Sequence, residues 1–447
     1  MADILLYNYL TTQKEKFIPL NDSEIGLYSC GPTVYSFVHI GNLRTYLFED
    51  ILRRVLEYNS FKVNQVMNLT DVEDKIIKKM KEENKSLEQI TLPYTEAFFK
   101  DLEKLNIQKA SIYPKATEHI GKMIEMIQKL LDKGVAYIKE GSVYFSLEKF
   151  PEYGKLSKLD KREIKVGARV NVDEYTKENA EDFVLWKVAV EGEPSWTAPF
   201  GEGRPGWHIE CSSMSMKYLG ESFDLHTGAV DLVFPHHENE IAQSEAYTGK
   251  KFVNYFLEGE HLLVENQKMA KSLGNIFTLK DIEEKKINPL AFRYLILTTH
   301  YQSKLNFTWE SLSASSNALN NLYSFASTLK EAGPACSDYE KRFLEAINDN
   351  LDLPKALSVV WELVKSDCPK SAKARSLLLF DKVLGLGLET VINQPLPKEV
   401  ENLLAMREKL RGENKFEDAD KVRSEIEEKG YLLKDTKGGV EISKKFN

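Results

Sequence analysis

The chain has 447 residues, too many for one compact core, and this length indicates three or four units of ordinary domain size. Its residues are 42% hydrophobic and 29% charged, and no apolar run approaches the roughly 20 residues of a membrane span, which argues against a membrane role. The net charge of -8 argues against a protein that coats nucleic acid through a broad basic surface, so any RNA partner would have to be bound by local patches and shape.

The N-terminus and the cysteines indicate a reducing compartment. Residues 1–10 lack a basic segment followed by an apolar stretch, so they predict no secretory signal, and we expect a cytoplasmic protein. The four cysteines, Cys30, Cys211, Cys336 and Cys368, are too few and too scattered for a disulfide framework in this length of chain. Reduced thiols or metal ligands are expected instead.

The first part of the chain alternates strands and helices. The apolar spacing predicts a strand, a helix, a strand and a helix over residues 25–30, 41–58, 63–69 and 70–80. Such alternation is typical of an α/β fold with a parallel sheet. Ligands of these sheets bind beyond the carboxyl ends of the strands, which is where Cys30, His39 and Thr70 fall.

Other patterns follow in the rest of the chain. Short mixed segments over about 113–202 predict an insertion, and residues 223–226 predict that strands and helices then resume. Pro235 is predicted to begin a helix that Gly249 ends. The remainder is mostly helical, with one helix predicted from 400 to 429 and short strands after it.

Two short segments carry groups suited to phosphate. Residues 30–42 join a strand to a helix through a glycine turn, and a helix N-terminus of this kind can hold phosphate. His39 would there donate a hydrogen bond to a phosphate oxygen, although a histidine at a helix start is often structural. Lys268 and Lys271 lie on a polar loop and suit a polyphosphate leaving group, although such lysines are often only surface charge.

A metal site is a further interpretation. His236 and Glu240 are four residues apart and share one face of the predicted helix. With Cys30 and Cys211 they supply two thiolates, an imidazole and a carboxylate, which suit tetrahedral zinc. The spacing alone leaves open two buried cysteines without a metal, because the chain has no C-x-x-C pair.

The order of these segments carries a family resemblance. Residues 39–42 and 268–272 resemble the HIGH and KMSKS motifs of class I aminoacyl-tRNA synthetases, with Asn42 in place of the last histidine and Ala270 in place of the first serine. Residues 206–212, Gly-Trp-His-Ile-Glu-Cys-Ser, and residues 234–240, Phe-Pro-His-His-Glu-Asn-Glu, closely resemble cysteinyl-tRNA synthetases. Residues 182–187 and 203–206 extend the resemblance, which covers nearly the whole chain.

The resemblance implies a role for each of these residues. It implies that His237 and Glu238 are not metal ligands, and that Ala229 stands where the family often has glycine. For Thr70 a helix N-cap is the simpler alternative, and for Trp207 an ordinary core or surface aromatic. The implied sites are catalytic His39, Asn42, Lys268 and Lys271; ATP-binding Gly41, Gly228, Asp231 and Lys271; substrate-binding Thr70 and Trp207; and zinc-binding Cys30, Cys211, His236 and Glu240.

The resemblance also implies a domain order. The implied protein is an α/β protein whose Rossmann-like class I catalytic core is split by an inserted domain. A helical bundle and a small anticodon-binding unit follow the core. The expected segments are core 1–112, inserted connective domain 113–202, core with zinc site 203–260, KMSKS-like loop and stem-contact region 261–315, helical bundle 316–397, and anticodon-binding unit 398–447.

The implied reaction has two steps. The carboxylate of L-cysteine attacks the α-phosphate of ATP, which carries Mg2+, to give cysteinyl-adenylate and pyrophosphate. The terminal ribose hydroxyl of tRNA(Cys) then takes the cysteinyl group, and AMP leaves. One Zn2+ per chain would select the thiolate of cysteine as its fifth ligand, since serine differs only in oxygen for sulfur. The resemblance implies a monomer and no separate editing domain.

Two other functions fit parts of the same pattern. A related ligase of mycothiol biosynthesis joins cysteine to an amino sugar, but residues 416–423 and 430–439 resemble the synthetase ending. A catalytically dead paralogue that binds RNA or senses cysteine is disfavoured because His39, Lys268 and Lys271 are all present.

Overall fold

The chain folds into two compact units in a computed structural model. The structure describes residues 3–21, 23–159, 182–330, 333–436 and 439–446. The first unit comprises Asp3–Leu279 and Tyr301–Leu305, and the second comprises Lys280–His300 and Asn306–Asn447. Across those described ranges, the helices are all too short or too polar to cross a membrane.

The first unit is built on a four-stranded parallel sheet. The strands of this unit within the described ranges are β1 Leu5–Asn8, β2 Gln13–Lys16, β3 Ile25–Ser29, β4 Val63–Met67, β5 Ala136–Lys139, β6 Ser142–Phe145, β7 Phe183–Val188, β8 Trp196–Ala198, β9 Gly201–Pro205, β10 Phe223–Ala229, β11 Val253–Gly259, β12 Leu262–Val264 and β13 Gln267–Lys268. The central order is β11-β10-β3-β4, and each neighbouring pair runs parallel. This confirms the predicted α/β fold.

Helices cover this sheet and complete the unit. They are α1 Ile40–Tyr58, α2 Asp74–Glu83, α3 Leu87–Lys104, α4 Ile120–Asp132, α5 Trp207–Leu219 and α6 Glu238–Thr248. The predicted helix over 41–58 is confirmed as α1, whose apolar residues Leu43, Leu47 and Val55 are fully buried. The parallel strands require crossover connections, and α1 supplies the one from β3 to β4.

A second sheet occupies the chain between α4 and α5. Its order is β5-β6-β7-β9-β8, and all neighbouring strands are antiparallel. Its core packs Phe145, Phe183 and Trp186 against α4, in which Met123 and Ile127 are buried. The sheet delivers the chain from β9 directly into α5, the helix that carries Cys211.

The second unit is mainly helical. Its elements are α8 Pro289–Leu297, α9 Trp309–Ala326, α10 Ser337–Asn348, α11 Leu353–Lys365, α12 Lys370–Leu384, α13 Lys398–Gly412, α14 Phe416–Glu428, β15 Tyr431–Thr436 and β16 Gly439–Lys444. Two further elements begin at residues where the chain passes from the first unit to the second, α7 Leu279–Glu284 and β14 Leu305–Phe307.

The single helix predicted over 400–429 is wrong. The chain breaks between α13 and α14, where Asn414 adopts a left-handed backbone with φ 59°. Folding back lets Val400 of α13 pack with Val422 and Ile426 of α14 in one apolar cluster. A continuous helix would leave those residues exposed, so their burial outweighs the helical propensity of the residues at the break.

Candidate active site and metal centre

An open pocket of about 400 Å³ lies at the carboxyl ends of the central strands. Cys30 follows β3 and Thr70 follows β4, while Ala229 ends β10. The position agrees with the rule that ligands of parallel sheets bind at this edge. The sequence-predicted residues that line the pocket are Cys30, His39, Gly41, Asn42, Thr70, Trp207, Cys211, Asp231, His236 and Lys268.

Four potential metal ligands meet at the base of the pocket. The ligand atoms of Cys30, Cys211, His236 and Glu240 all lie within 4.8 Å of one another, and all four residues are buried. The Nε2 atom of His236 lies 3.1 Å from Oε1 of Glu240, and Sγ of Cys30 lies 4.0 Å from the same oxygen. The predicted donor set is therefore brought together from four places in the chain. Cys30 follows β3, His236 follows β10, Cys211 lies in α5 and Glu240 lies in α6.

The local structure around His236 differs from the prediction. The regular helix α6 begins only at Glu238, and residues Val233–His237 form a wide π-type turn in which Phe234 is extended. Pro235 therefore lies in this turn rather than at a helix start. The predicted end of the helix is confirmed, since Gly249 caps α6 with φ 75°. The turn still directs His236 and Glu240 towards one another.

The electrostatics of the cluster suit a cation. Burial raises the pKa of the Cys30 thiol well above its usual range, and the hydrogen bond to Cys211 raises it further. Burial also raises the pKa of Glu240, but His226 and His236 outweigh that effect and hold it below its usual range. The cluster therefore contains a buried carboxylate beside neutral thiols, which release protons when a metal binds them.

A second set of donors overlaps the first. The ligand atoms of Cys30, His226, His237 and Glu240 also lie within 4.8 Å of one another. His226 and His237 do not line the pocket, whereas Cys30, Cys211 and His236 do. In the second set the ring of His237 is fixed by a hydrogen bond to Glu258, whose Oε1 lies 2.8 Å from Nδ1 of His237.

The neighbouring residues His208 and Glu238 have other partners. The Nδ1 atoms of His208 and His236 lie 2.8 Å apart, so one ring donates a hydrogen bond to the other, and Nε2 of His236 stays directed at Glu240. The Glu238 carboxylate accepts hydrogen bonds from the backbone amides of Gly154, Leu156 and Ser157. These contacts tie α6 to the loop after β6, which is a structural role.

A buried hydrogen-bond network holds Thr70 at the pocket wall. The Asn68 amide donates to the Thr70 hydroxyl at 3.1 Å, and that hydroxyl donates to Glu210 at 3.1 Å. The oxygen of Asn68 also accepts from the Gly31 amide at 2.9 Å, beside Cys30. Thr70 is not a helix N-cap, because α2 begins at Asp74 and its cap is Glu73. Sequence reasoning missed Asn68, although its place just after β4 was a usable signal.

Trp207 closes the other side of the donor cluster. It is the first residue of α5, and its ring packs on His236 with centroids 4.4 Å apart. Cys211 lies one helical turn further on, so both side chains face the pocket. A Cβ atom at Gly206 would overlap the backbone oxygen of Val184, so this glycine permits the close approach that places Trp207.

His39 caps α1 and remains available as a donor. Its Nδ1 accepts from the amide of Asn42, and the Asn42 side chain accepts from the amide of His39, each at 3.2 Å. This capping box accounts for Asn42 structurally. Burial lowers the pKa of His39, so the ring is neutral and carries its proton on Nε2.

The loop with the two lysines is braced against α1. A Cβ atom at Gly41 would overlap the methyl group of Met269, and the amide of Ile40 donates to the oxygen of Phe277 at 2.8 Å. The side-chain oxygen of Asn275 accepts from the Ala270 amide at 2.9 Å, a brace that sequence reasoning missed. Lys268 is exposed and lines the pocket. The side chain of Lys271 lies outside the described part of the structure.

The remaining predicted ATP residues lie at the end of β10. Gly228 is buried, and a Cβ atom there would lie 2.7 Å from the ring of His237, so only glycine fits. Asp231 is exposed at the pocket, where its carboxylate lies 4.0 Å from Nδ1 of His261. Asp231 thus lines the same pocket as His39, whereas Gly228 is buried beneath it against His237.

Comparison with known families matches both ends of the chain. Residues 16–317 match the family described as tRNA synthetases class I (C) catalytic domain. Residues 393–442 match the cysteinyl-tRNA ligase anticodon binding domain. The second match lies in the region that distinguishes the synthetases from the amino-sugar ligase. A methionyl-tRNA synthetase of Mycobacterium tuberculosis bound to methionyl-adenylate shares the fold, with a TM-score of 0.60 at 14% identity over 83% of this chain and 93% of that chain.

Curated relatives extend over the full chain. A cysteine--tRNA ligase of Chlamydia muridarum is 43% identical and covers 99% of this chain and 100% of its own length. A cysteine--tRNA ligase of Brachyspira hyodysenteriae is 43% identical over 100% of both chains. Since the catalytic and anticodon-binding matches lie in one chain in the same order, the resemblance read from the sequence is confirmed. The chain belongs to the cysteine--tRNA ligase family of class I aminoacyl-tRNA synthetases.

Proposed function

We propose that the pocket activates L-cysteine with ATP and transfers the cysteinyl group to the terminal adenosine of tRNA(Cys). The observation that carries this proposal is the position of the donor cluster. Cys30, Cys211 and His236 line the same pocket as His39 and Lys268. A thiol-recognising group and phosphate-binding groups thus face one volume, as the attack of a cysteine carboxylate on ATP requires.

We assign one Zn2+ per chain to Cys30, Cys211, His236 and Glu240. Two sulfur donors, an imidazole and a carboxylate suit zinc, and the buried carboxylate supplies charge for a cation. When bound, zinc supplies a Lewis-acidic position that favours a thiolate strongly over the hydroxyl of serine. The set that includes His226 and His237 is less suitable, since those two rings do not reach the pocket.

The cysteine pocket is completed by Thr70 and Trp207. The Thr70 hydroxyl is fixed by Asn68 and Glu210, so it is oriented before substrate enters. The ring of Trp207 covers His236 and keeps water from that side of the cluster. These two residues position the substrate and add shape to the chemical selection by the metal.

The ATP half of the site is proposed to use neutral His39 and the 268–272 loop. Nε2–H of His39 donates to the α-phosphate as charge develops there, and the Asn42 amide holds the ring in that tautomer. Lys268 and Lys271 stabilise the departing pyrophosphate, which leaves with the Mg2+ that accompanies ATP. The glycines Gly41 and Gly228 permit the nucleotide to approach the backbone closely, and Asp231 orients it.

The tRNA is proposed to be held at a distance from the reacting ribose. The segment matched to an anticodon-binding domain contains α13, α14 and the β15–β16 hairpin. Unpaired anticodon bases offer the stacking faces and edges that such small units recognise. We further propose that the protein acts in the cytoplasm as a monomer.

The domain limits follow from this proposal. The catalytic core would comprise 1–112 and 203–260, with the connective insertion at 113–202 between its halves. The loop and stem-contact region would be 261–315, the helical bundle 316–397 and the anticodon-binding unit 398–447. Limited proteolysis tests these limits, since boundaries in exposed connections are cleaved first.

The proposal is tested by measuring pyrophosphate exchange and tRNA charging with each amino acid. Cysteine alone should support exchange, and the product should be cysteinyl-tRNA(Cys). Exchange without charging of any tRNA would favour the amino-sugar ligase, which needs the core but no anticodon unit. A chain that lacks exchange with every amino acid would favour the inactive paralogue.

A further inference from the structure

One large apolar side chain is exposed at the rim of the pocket. Phe37 lies on the loop between β3 and α1 and is 58% exposed, although it borders the same pocket as His39. A single exposed aromatic residue is ordinary on a protein surface. Its neighbours distinguish this one, because they hold the ring in place.

The ring of Phe37 is supported by two helices. It contacts Tyr94 of α3 edge to face, with centroids 5.2 Å apart and an interplanar angle of 79°. Lys79 of α2 lies over the Tyr94 ring at 4.3 Å and donates to its hydroxyl. Lys79 also donates to the backbone oxygen of Tyr35 at 3.0 Å, which ties the loop to both helices.

Two ammonium groups lie beside the tyrosines that neighbour Phe37. Lys75 is exposed and borders the pocket, and its ammonium lies 5.9 Å from the Tyr35 ring centre. Lys79 remains 23% exposed beside Tyr94, and its ammonium also lies 3.7 Å from the carboxylate of Glu83. Aromatic faces beside ammonium groups are the combination with which proteins hold unpaired nucleotides. In a chain of net charge -8, such a local patch is where an RNA strand would find complementary charge.

The two small substrates are assigned to other walls of the pocket. The groups proposed for ATP belong to the start of α1, the end of β10 and the 268–272 loop. Those proposed for cysteine surround the metal cluster. The reacting ribose must enter the same pocket during transfer, so the unpaired nucleotides joined to it must cross the rim. The supported ring of Phe37 is a stacking surface along such a path.

We propose that Phe37, backed by Tyr94, is a positioning residue on which an unpaired 3′ nucleotide of tRNA stacks during transfer. The proposal rests on the proposed function and adds a recognition point for the acceptor end. Stacking on a ring that is already fixed places the ribose without further loss of side-chain freedom. Tyr94 and Lys79 act through Phe37 by holding that ring.

A binding cycle tests the proposal without relying on catalysis. Binding of tRNA(Cys) transcripts with and without their unpaired 3′ nucleotides is measured for the unmodified chain and for Phe37→Ala. Removing those nucleotides should weaken binding to the unmodified chain about five- to a hundredfold more than binding to the variant. Phe37→Trp should restore the difference, whereas Phe37→Leu should not, since leucine keeps apolar area but lacks an aromatic face.

A kinetic measurement separates this proposal from the proposed function. In Phe37→Ala, charging of tRNA should fall at least about fivefold more than cysteine-dependent pyrophosphate exchange. Ile138→Ala is the matched control, since Ile138 is 53% exposed on β5 and does not border the pocket. Equal losses on removing the 3′ nucleotides from both proteins, or parallel falls in exchange and charging, would overturn the stacking role. Absence of exchange in the unmodified chain would instead overturn the proposed function, and the binding cycle would still decide the role of Phe37.

Discussion

Sγ of Cys30 and Oε1 of Glu240 lie 4.0 Å apart, although 210 residues separate them in the chain. Cys30 directly follows β3, the first strand of the central sheet in chain order, and Glu240 lies in the first turn of α6. The two are brought together because β10 pairs directly with β3. The second sheet lies between β4 and β10 in the chain and leaves this cluster intact.

The metal assignment predicts about one zinc per chain. Cys211→Ser or His236→Ala should lower zinc content and cysteine activation together, because each removes a buried donor. Discrimination against serine should fall with zinc content. Metal analysis and pyrophosphate exchange check these outcomes.

Cys368→Ser is the control for the metal measurement. Cys368 is partly exposed in the helical unit and does not belong to either donor set of the described residues. This variant should keep full zinc content. Active protein without zinc would contradict the assignment, and loss of zinc only in a His237→Ala variant would favour the second donor set.

The lysine assignment predicts a defect in the rate of activation rather than in cysteine binding. Lys271→Ala should slow adenylate formation about a hundredfold or more, since a charge is lost where pyrophosphate charge develops. Cysteine affinity should change little. Pre-steady-state activation kinetics and equilibrium binding measure the two effects separately.

Lys280→Ala is the control for that measurement, because Lys280 is an exposed lysine that pairs only loosely with Glu284 at 3.5 Å. Its adenylate formation should match that of the unmodified protein. An unchanged activation rate in Lys271→Ala would exclude the proposed role of the loop.

The anticodon assignment predicts that deletion after Pro397 separates the two steps. The cut falls immediately before α13, so cysteine-dependent exchange should remain largely intact while the KM for tRNA rises and charging is crippled. The deleted part contacts α9 through Ser324 and Lys444, so the melting temperature of the truncated protein must also be measured. Truncated protein that charges tRNA as well as the full chain would remove the basis for the assignment.

An ion-pair network predicts a pH-dependent stability effect. The Asp74 carboxylate accepts from Lys187 at 2.6 Å and from Arg204, which joins α2 to the second sheet. Burial raises the pKa of Asp74, but the hydrogen bonds and charges of Lys187 and Arg204 outweigh it and hold the pKa below its usual value. Because Asp74 is about a third exposed, Asp74→Asn should cost only about 1 kcal/mol at neutral pH.

The sign of the effect follows from the lowered pKa. Folding favours ionised Asp74, so its contribution is present above about pH 4 and is lost as the pH falls through the folded pKa. Thermal unfolding should therefore separate the two proteins at pH 7 and bring them together in acid. Glu82→Gln is the control, since this exposed carboxylate lies 3.9 Å from Lys78 and should have little effect. A difference that persists unchanged in acid would contradict the role assigned to Asp74.

Much of the site could be predicted from local sequence. The strand, glycine turn and helix around Cys30 and His39 follow from neighbouring residues, because turn chemistry and apolar periodicity act over a few positions. Family resemblance then connected this segment to the distant residues Cys211 and His236. Spacing alone does not show whether His236 or His237 faces the cluster, because the two histidines are consecutive in the sequence. In the folded chain both rings are buried.

Other features depended on contacts that local patterns do not contain. Local sequence also fits Thr70 as a helix cap, whereas in the folded chain its hydroxyl bonds to Asn68 and Glu210 and Glu73 caps the helix. The break at Asn414 is decided by the burial of the faces of α13 and α14 against one another. Such effects depend on which surfaces exclude water together, and that is a property of the folded chain.

Local residue patterns predicted the alternating α/β core and the order of the phosphate-binding segments, and the motifs carried the resemblance to the family. Tertiary structure alone decided that two overlapping donor sets share Cys30 and Glu240, and that one of them opens to the pocket. It also placed the supported ring of Phe37 at the rim. The physical reason is that periodicity and turn chemistry act between near neighbours, whereas a ligand site requires side-chain atoms from distant segments to meet within a few ångströms.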